Sequence, residues 1–337
     1  MIFVSIPTIC LKFVSLPKTE ERMITLYAAP LQGFTEAVWR NAHAEAFGGI
    51  DAYYSPFVRL EKGDFRNKDR RDVAPENNRG VHLIPQLVAG EVDELCKITD
   101  FLVELGYRKV DVNMGCPFPL IANRGKGSGI LPDPDRVGAL LKAMERYPQV
   151  AFSVKMRLGW QEQEEWKAIL PLLNDSCVHR IVLHPRIGKQ QYKGEVNTKA
   201  FMEFYRECRI PLVYNGDLCG VADMYEWVDR APDLCGLMLG RGLLANPSLA
   251  DEFRTGHMPG QTELYRKVEH MHMLMVEGYR RQIEGGEAQL LGKLKTMWEY
   301  LLPQMDKKAR KAIVKSNRLD GYLLAVENAL RGKNASR

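Results

Sequence analysis

No stretch of this sequence is long and apolar enough to span a bilayer. The nearest, Met1 to Leu16, is interrupted by Pro7 and Lys12 and closed by Pro17. It also lacks the basic start and small-residue cleavage site of a secretory signal. Cysteine is sparse and scattered. The seven thiols (Cys10, Cys96, Cys116, Cys177, Cys208, Cys219, Cys235) form no CxxC pair and no cluster with histidine. That spacing argues against a metal site and for reduced thiols in a cytosol. No internal repeat exceeds the β/α unit, and no segment is of low complexity. These absences lead to the expectation of a soluble, cytoplasmic chain without bound metal; it is taken to be a monomer.

Charge of neither sign dominates, since the net is only +5, but its distribution is uneven. Residues 255–337 hold 15 Lys and Arg against 9 Asp and Glu, a net of +6, and the remainder holds 32 against 33. A basic appendage on a neutral body fits a polyanion partner or, equally, a solvated helix face.

From Met23 onward short β-type runs alternate with amphipathic helical stretches. Eight strands are predicted, at residues 26–29, 52–55, 83–87, 110–113, 152–156, 181–184, 212–215 and 236–239. Helices are predicted between most of them, at 91–105, 135–146, 163–173 and 198–208, while 62–80 is charged, punctuated and expected to be a loop. Eight such units are the size of a (β/α)8 TIM barrel, here taken as 23–256. The pattern then becomes all-helical (263–283, 288–302, 307–316, 322–331), giving a small basic domain over 257–337 with Leu290, Leu294, Met297 and Leu301 as its core. Residues 1–22 are an N-terminal extension or a mis-assigned start, because Met23 directly precedes the first strand.

Barrel chemistry sits at the C-terminal strand ends, and here these are polar. In order they carry Pro30-Leu31-Gln32, Gln86, Asn113 with Cys116, Lys155 with Arg157, His184 with Arg186, Asn215-Gly216-Asp217 and Gly240-Arg241-Gly242. The last two form the corner where barrels commonly hold phosphate on backbone N–H groups, with Arg241 as an added cation. Gly240 to Ala245 also matches a G-x-G-x-x-A fingerprint, but no βαβ unit follows to supply a ribose acid, so a mononucleotide phosphate fits better. Lys155 with Gln86 and His184 would surround a ring that becomes negative on reduction. The plainer alternative for Lys155 is a salt bridge at the barrel mouth, and His184 taken alone reads as a satisfied core histidine; their convergence favours a flavin. Cys116 precedes a glycine-rich stretch, Arg124 to Gly129, which is not a Walker A motif and is expected to provide mobility and backbone room. A thiol there can donate a proton if it stays protonated.

The segments Asp111-Val112-Asn113-Met114-Gly115-Cys116-Pro117, Ser153 to Gly159, His184-Pro185-Arg186 through Gln190, Tyr192 and Gly194, Asn215-Gly216-Asp217 and Gly240-Arg241-Gly242 together resemble the tRNA-dihydrouridine synthases, over nearly the whole chain from Leu26. The resemblance implies FMN reduced by NADPH, hydride transfer to carbon 6 of a tRNA uracil, and protonation of carbon 5 by Cys116. It implies a flavin surrounded by Pro30, Leu31, Gln32, Gln86, Lys155, His184, Asn215, Gly216, Asp217, Gly240 and Arg241. The uracil would meet Asn113, Arg157 and Arg186, and the basic helical domain would grip tRNA backbone. Two places depart from the family pattern: Leu31 where methionine is usual, and Phe118-Pro119 where small or basic residues are commoner. The alternatives are a small-molecule flavin reductase of the dihydroorotate dehydrogenase type, and a tRNA-binding barrel without turnover. The basic C-terminal segment speaks against the first; Cys116, Lys155 and the phosphate corner speak against the second.

Overall fold

The structure, a computed structural model, describes residues 24–331. The expectation for residues 1–22 therefore lies outside the described residues. The barrel strands, in chain order, are β1 (Thr25–Ala28), β2 (Ala52–Tyr54), β3 (Leu83–Ile84 and Gln86–Leu87), β4 (Lys109–Met114), β5 (Ala151–Gly159), β6 (Arg180–Ile187), β7 (Leu212–Tyr214) and β8 (Gly236–Leu239). Every neighbouring pair is parallel, and β1 lies between β2 and β8. The ring closes through β3, whose first piece pairs with Tyr53 and Tyr54 and whose second pairs with Asp111 and Val112. Pro85 splits it because proline has no N–H for a ladder; its carbonyl still accepts from Asp111 N at 2.9 Å.

Alternation along the strands divides the core into two layers. Leu26, Val110, Val112, Val154, Ile181, Leu183 and Leu237 face outward against the helices. Tyr27, Ala52, Tyr54, Ile84, Val182, Val213 and Met238 fill the barrel itself. The inward positions of β4 are different: Asp111 and Asn113 are buried there and are held by hydrogen bonds rather than by apolar packing.

After the barrel come helices Gln261–Gln282, Gly286–Thr296, Lys307–Lys315 and Leu319–Leu330, with a 3-10 turn at Met297–Glu299. Leu290, Leu294, Met297 and Leu301 are buried in this region, as their spacing predicts. Trp298 Nε1–H donates to Tyr322 Oη at 2.9 Å, and His272 Nε2 lies 2.9 Å from the same oxygen. This region is fixed to the barrel. Helix Gln261–Gln282 packs along helix Ala37–Ala46. Lys293 reaches both carboxylate oxygens of Glu36 at 2.7 Å, and Leu302 N donates to Ala245 O at 2.9 Å.

One expectation fails. Residues 62–80 are not a plain loop but contain part of a hairpin (Leu60–Glu61 with Asp64–Phe65), helix Asn67–Val73 and a 3-10 turn at Pro75–Asn77. The helix has almost no apolar periodicity to announce it. Its charged side chains hold it in place instead: Asp69 takes a forked hydrogen bond from Arg66, and Asp72 accepts from Ala37 N at 2.6 Å and from the buried Arg40 at 3.1 Å. Among the described residues no helix is long and apolar enough to cross a membrane.

Candidate active site

The C-terminal ends of the strands open into one cavity of about 1420 Å³. Of the residues singled out from the sequence, Pro30, Leu31, Gln32, Asn113, Cys116, Lys155, Arg157, His184, Arg186, Asn215, Gly216, Asp217, Gly240 and Arg241 line it. Gln86 does not reach the wall; it is fully buried one layer below, bonded to Asp111 and Asn113.

On the β5 wall Lys155 Nζ donates to Asn215 Oδ1 at 2.7 Å, and Asn215 Nδ2 in turn donates to Met238 O at 2.8 Å. Asn215 is thereby fixed with its oxygen toward the lysine. Burial, then the charge of Arg157, lowers the Lys155 pKa to about 8. An ammonium with one hydrogen bond in a buried wall is short of an acceptor, which suits a ring that gains negative charge. His184 is held well below the usual imidazole range, first by burial and then by Arg157, Lys155 and Arg186. It is therefore neutral, and its Nε2 accepts from Arg186 Nη1 at 3.2 Å.

Arg186 is almost fully buried. It pairs with Asp217 through both terminal nitrogens, one of them at 3.0 Å, and donates to Gly194 O at 2.7 Å. Its Nε has no partner. Asp217 also accepts from Arg241 Nη2 at 2.8 Å. Burial raises the Asp217 pKa, but the hydrogen bonds and charge of Arg186, then of Arg241, outweigh it and hold the carboxyl below its ordinary value. Arg157 lines the cavity and is also anchored to backbone: Nε donates to Gly115 O at 2.9 Å, and Nη1 to Ile187 O and Gln191 O at 3.0 and 2.7 Å. It ties the cysteine turn to the loop after β6.

The β7–β8 corner is built for close approach. A Cβ on Gly242 would lie 2.0 Å from Leu218 O, so only glycine lets helix Arg241–Ala245 start against the Asn215–Asp217 turn. The glycines, the adjacent N–H groups and Arg241 form a cradle whose chemistry fits a phosphate.

The glycine-rich segment after Cys116 provides room rather than free movement. Residues Gly127–Ile130 form a 3-10 turn packed under the cysteine, and Ser128 donates to Cys116 O from N and Oγ at 3.0 and 2.9 Å. Gly127 has φ +58°, and a Cβ there would meet Cys116 O at 2.7 Å. Burial pushes the Cys116 thiol up, against the opposing Phe118 N–H and the charges of Arg157 and Arg59. The group stays a thiol near neutrality, as a proton donor must.

Several wall residues carry no sequence signal as site residues. Arg59, Arg66 and Lys68 come from the second-strand connection, whose greater part was expected to be loop. Glu299, Tyr300, Pro303 and Gln304 come from the helical region and reach the cavity only because that region docks on the barrel. Tyr192, inside a quoted motif but assigned no role, lies under Arg241 at 4.6 Å and near Arg157 at 5.5 Å, both from ring centroid to guanidinium carbon.

A closed barrel with a glycine cradle, a half-buried lysine and a protonated thiol around one mouth fits a barrel enzyme of the flavin-dependent oxidoreductase class. The family model for dihydrouridine synthase (Dus) matches residues 27–307, and the chain belongs to that family. It is similar to the tRNA-dihydrouridine(16) synthase of Haemophilus ducreyi, 28% identical over 66% of this chain and 70% of that one. The tRNA-dihydrouridine(16) synthase of Pseudomonas syringae pv. tomato is also 28% identical, over 66% of this chain and 72% of that one. Among solved structures, a single-residue mutant of morphinone reductase in complex with tetrahydroNAD superposes with a TM-score of 0.50 at 10% identity, covering 71% of this chain and 90% of that one. That likeness concerns the fold alone.

Proposed function

We propose that this chain reduces the C5–C6 double bond of uridines in tRNA, using FMN and NADPH, with Cys116 as proton donor. The observation that carries this is the placing of Lys155, short of an acceptor, and the protonated Cys116 thiol in one cavity. The phosphate would rest in the Gly240–Gly242 cradle beside Arg241, and the ring would meet Lys155, His184, Asn215 and the Pro30–Gln32 turn. When bound, the flavin would supply hydride from NADPH to carbon 6 of the uracil. Cys116 gives its S–H proton to carbon 5 and regains a proton from solvent, so one hydride and one proton complete the reduction. Lys155 provides positive charge where negative charge develops. Neutral His184 leaves that charge unopposed. Asn113, Arg157 and Arg186 line the cavity, where the polar edge of a uracil would meet them.

The cavity has room for a base beside the flavin, as a base swung out of its stack would need. Its rim includes residues of the C-terminal helical region, which favours a polynucleotide substrate over a free pyrimidine. We assign residues 23–256 to the catalytic barrel and 257–337 to a basic tRNA-gripping domain of a monomeric, cytoplasmic enzyme. Helix Lys307–Lys315 buries Ala309 and Ile313 and exposes Lys307, Lys308, Lys311 and Lys315. The discriminating variant is Cys116→Ala. It is expected to keep flavin and NADPH oxidation while losing dihydrouridine formation by about 10²–10⁴-fold. Wild-type levels of dihydrouridine from that variant would remove Cys116 from the chemistry.

A further inference from the structure

Asp111 lies inside the barrel, fully buried, with no direct place in the cavity wall. Its Oδ1 accepts from Ser153 Oγ at 2.6 Å and its Oδ2 from Gln86 Nε2 at 2.7 Å. Gln86 Oε1 accepts from Asn113 Nδ2 at 2.8 Å, and Asn113 Oδ1 accepts from the backbone N–H groups of Gly115 and Cys116 at 3.1 and 2.8 Å. The polarity of this chain is fixed from its outer end. Backbone N–H groups only donate, so Asn113 must turn its oxygen to the cysteine turn and its NH2 to Gln86. Gln86 must then present its oxygen to Asn113 and its NH2 to Asp111, where the facing atom has to accept. Rotating either amide by half a turn would set like groups against each other in a dry interior.

We propose that Asp111 is a positioning residue that, through Gln86 and Asn113, holds the Cys116 turn and the Asn113 amide in their working orientation. The proposal rests on Cys116 being the proton donor. It needs no particular charge on Asp111. Burial raises that carboxyl to about 7, against the hydrogen bonds from Ser153 and Gln86. When Oδ1 is protonated, the Ser153 hydroxyl turns to accept from it, and Oδ2 still receives Gln86.

Three variants test this. In Asp111→Asn the side-chain oxygen still accepts from Gln86 and the new NH2 donates to Ser153, so the chain of bonds survives. In Asp111→Ala Gln86 loses its anchor, and Gln86→Met cuts the chain one link further out should Asp111→Ala fail to fold. Each flavin-loaded protein is followed in three ways: flavin reduction by NADPH, reoxidation of the reduced protein by unmodified tRNA, and iodoacetamide labelling of the Cys116 peptide by mass spectrometry. Asp111→Ala and Gln86→Met are expected to slow the tRNA step by about a hundredfold, the cost of a misplaced reacting group. Asp111→Ala should leave flavin reduction within a few-fold, and both should label Cys116 severalfold faster, while Asp111→Asn resembles wild type throughout. Unchanged labelling and tRNA reoxidation in both disrupting variants would overturn the proposal. So would equal losses in both half-reactions that Asp111→Asn shares, since that pattern marks a merely structural role. The labelling arm reports on the turn even if wild type makes no dihydrouridine, which separates failure of the positioning role from failure of the proposed function.

Discussion

Lys155 shows how far a single residue's role is readable from sequence. A lysine ending a buried strand is costly unless something anionic meets it, and the structure leaves it with one hydrogen bond, to Asn215. Lys155→Met is expected to keep the fold and slow flavin reduction by about 10²–10³-fold, the usual worth of one aligned electrostatic donor. Stopped-flow bleaching of the flavin by NADPH measures this; a wild-type rate would deny Lys155 any part in stabilising the reduced ring. Residues at strand ends (Asn113, Lys155, His184, Asn215, Arg241) were legible because barrel geometry assigns that location before any contact is known. Asp111 was visible only as a letter in a motif, because its partners Gln86 and Ser153 come from neighbouring strands. Arg157 reads as a substrate contact in sequence and lines the cavity; that its Nε and Nη1 also hold three backbone carbonyls is a fact of loop geometry that spacing does not encode.

At the level of elements, the eight strands were legible to within a few residues, because parallel strands buried on both faces leave continuous apolar runs. Helix Asn67–Val73 was not, since its stability comes from charged side chains and from the buried Arg40 rather than from an apolar stripe. Helix Lys307–Lys315 was legible as a helix, predicted at 307–316, and the structure adds its buried pair, Ala309 and Ile313, with its lysines outward. Reversing charge there (Lys308→Glu, Lys311→Glu and Lys315→Glu together) is expected to weaken tRNA binding by at least about tenfold at low salt and to flatten its salt dependence. Flavin content should not change. Filter binding across a salt series reads the result, and unchanged slopes would make this helix a solvated face and nothing more.

For the whole molecule, the docking of the helical region on the barrel was not legible, because it depends on matched surfaces such as Glu36 with Lys293. Two buried histidines, one in each region, carry a consequence for acid stability. His43, between Tyr53 Oη and Pro247 O, and His272, against Tyr322, are buried, and burial lowers both to about 4. In the unfolded chain they titrate near 6.5, so as pH falls from 6.5 to 4 the unfolded state takes up protons that the folded state refuses. Stability is lost across that window, by about 3 kcal/mol for each histidine at its lower end. Asp111 works in the opposite direction. Its folded pKa is raised to about 7, so it gains protons before its unfolded counterpart and offsets part of the loss. His272→Gln, which can keep the bond to Tyr322, is expected to lose less stability than wild type between pH 6.5 and 4 in urea titrations. Parallel losses in the two proteins would mean that His272 is not held neutral.

The central claim is that this cavity reduces a base within tRNA. Purified protein given NADPH and unmodified tRNA, with the digested nucleosides then weighed by mass spectrometry, tests it most directly. Dihydrouridine, two mass units above uridine and absent without NADPH, is the result the structure leads us to expect. A yellow protein that oxidises NADPH with tRNA substrates from several sources, modified and unmodified, yet forms no dihydrouridine in any, would contradict it and turn attention to free pyrimidines.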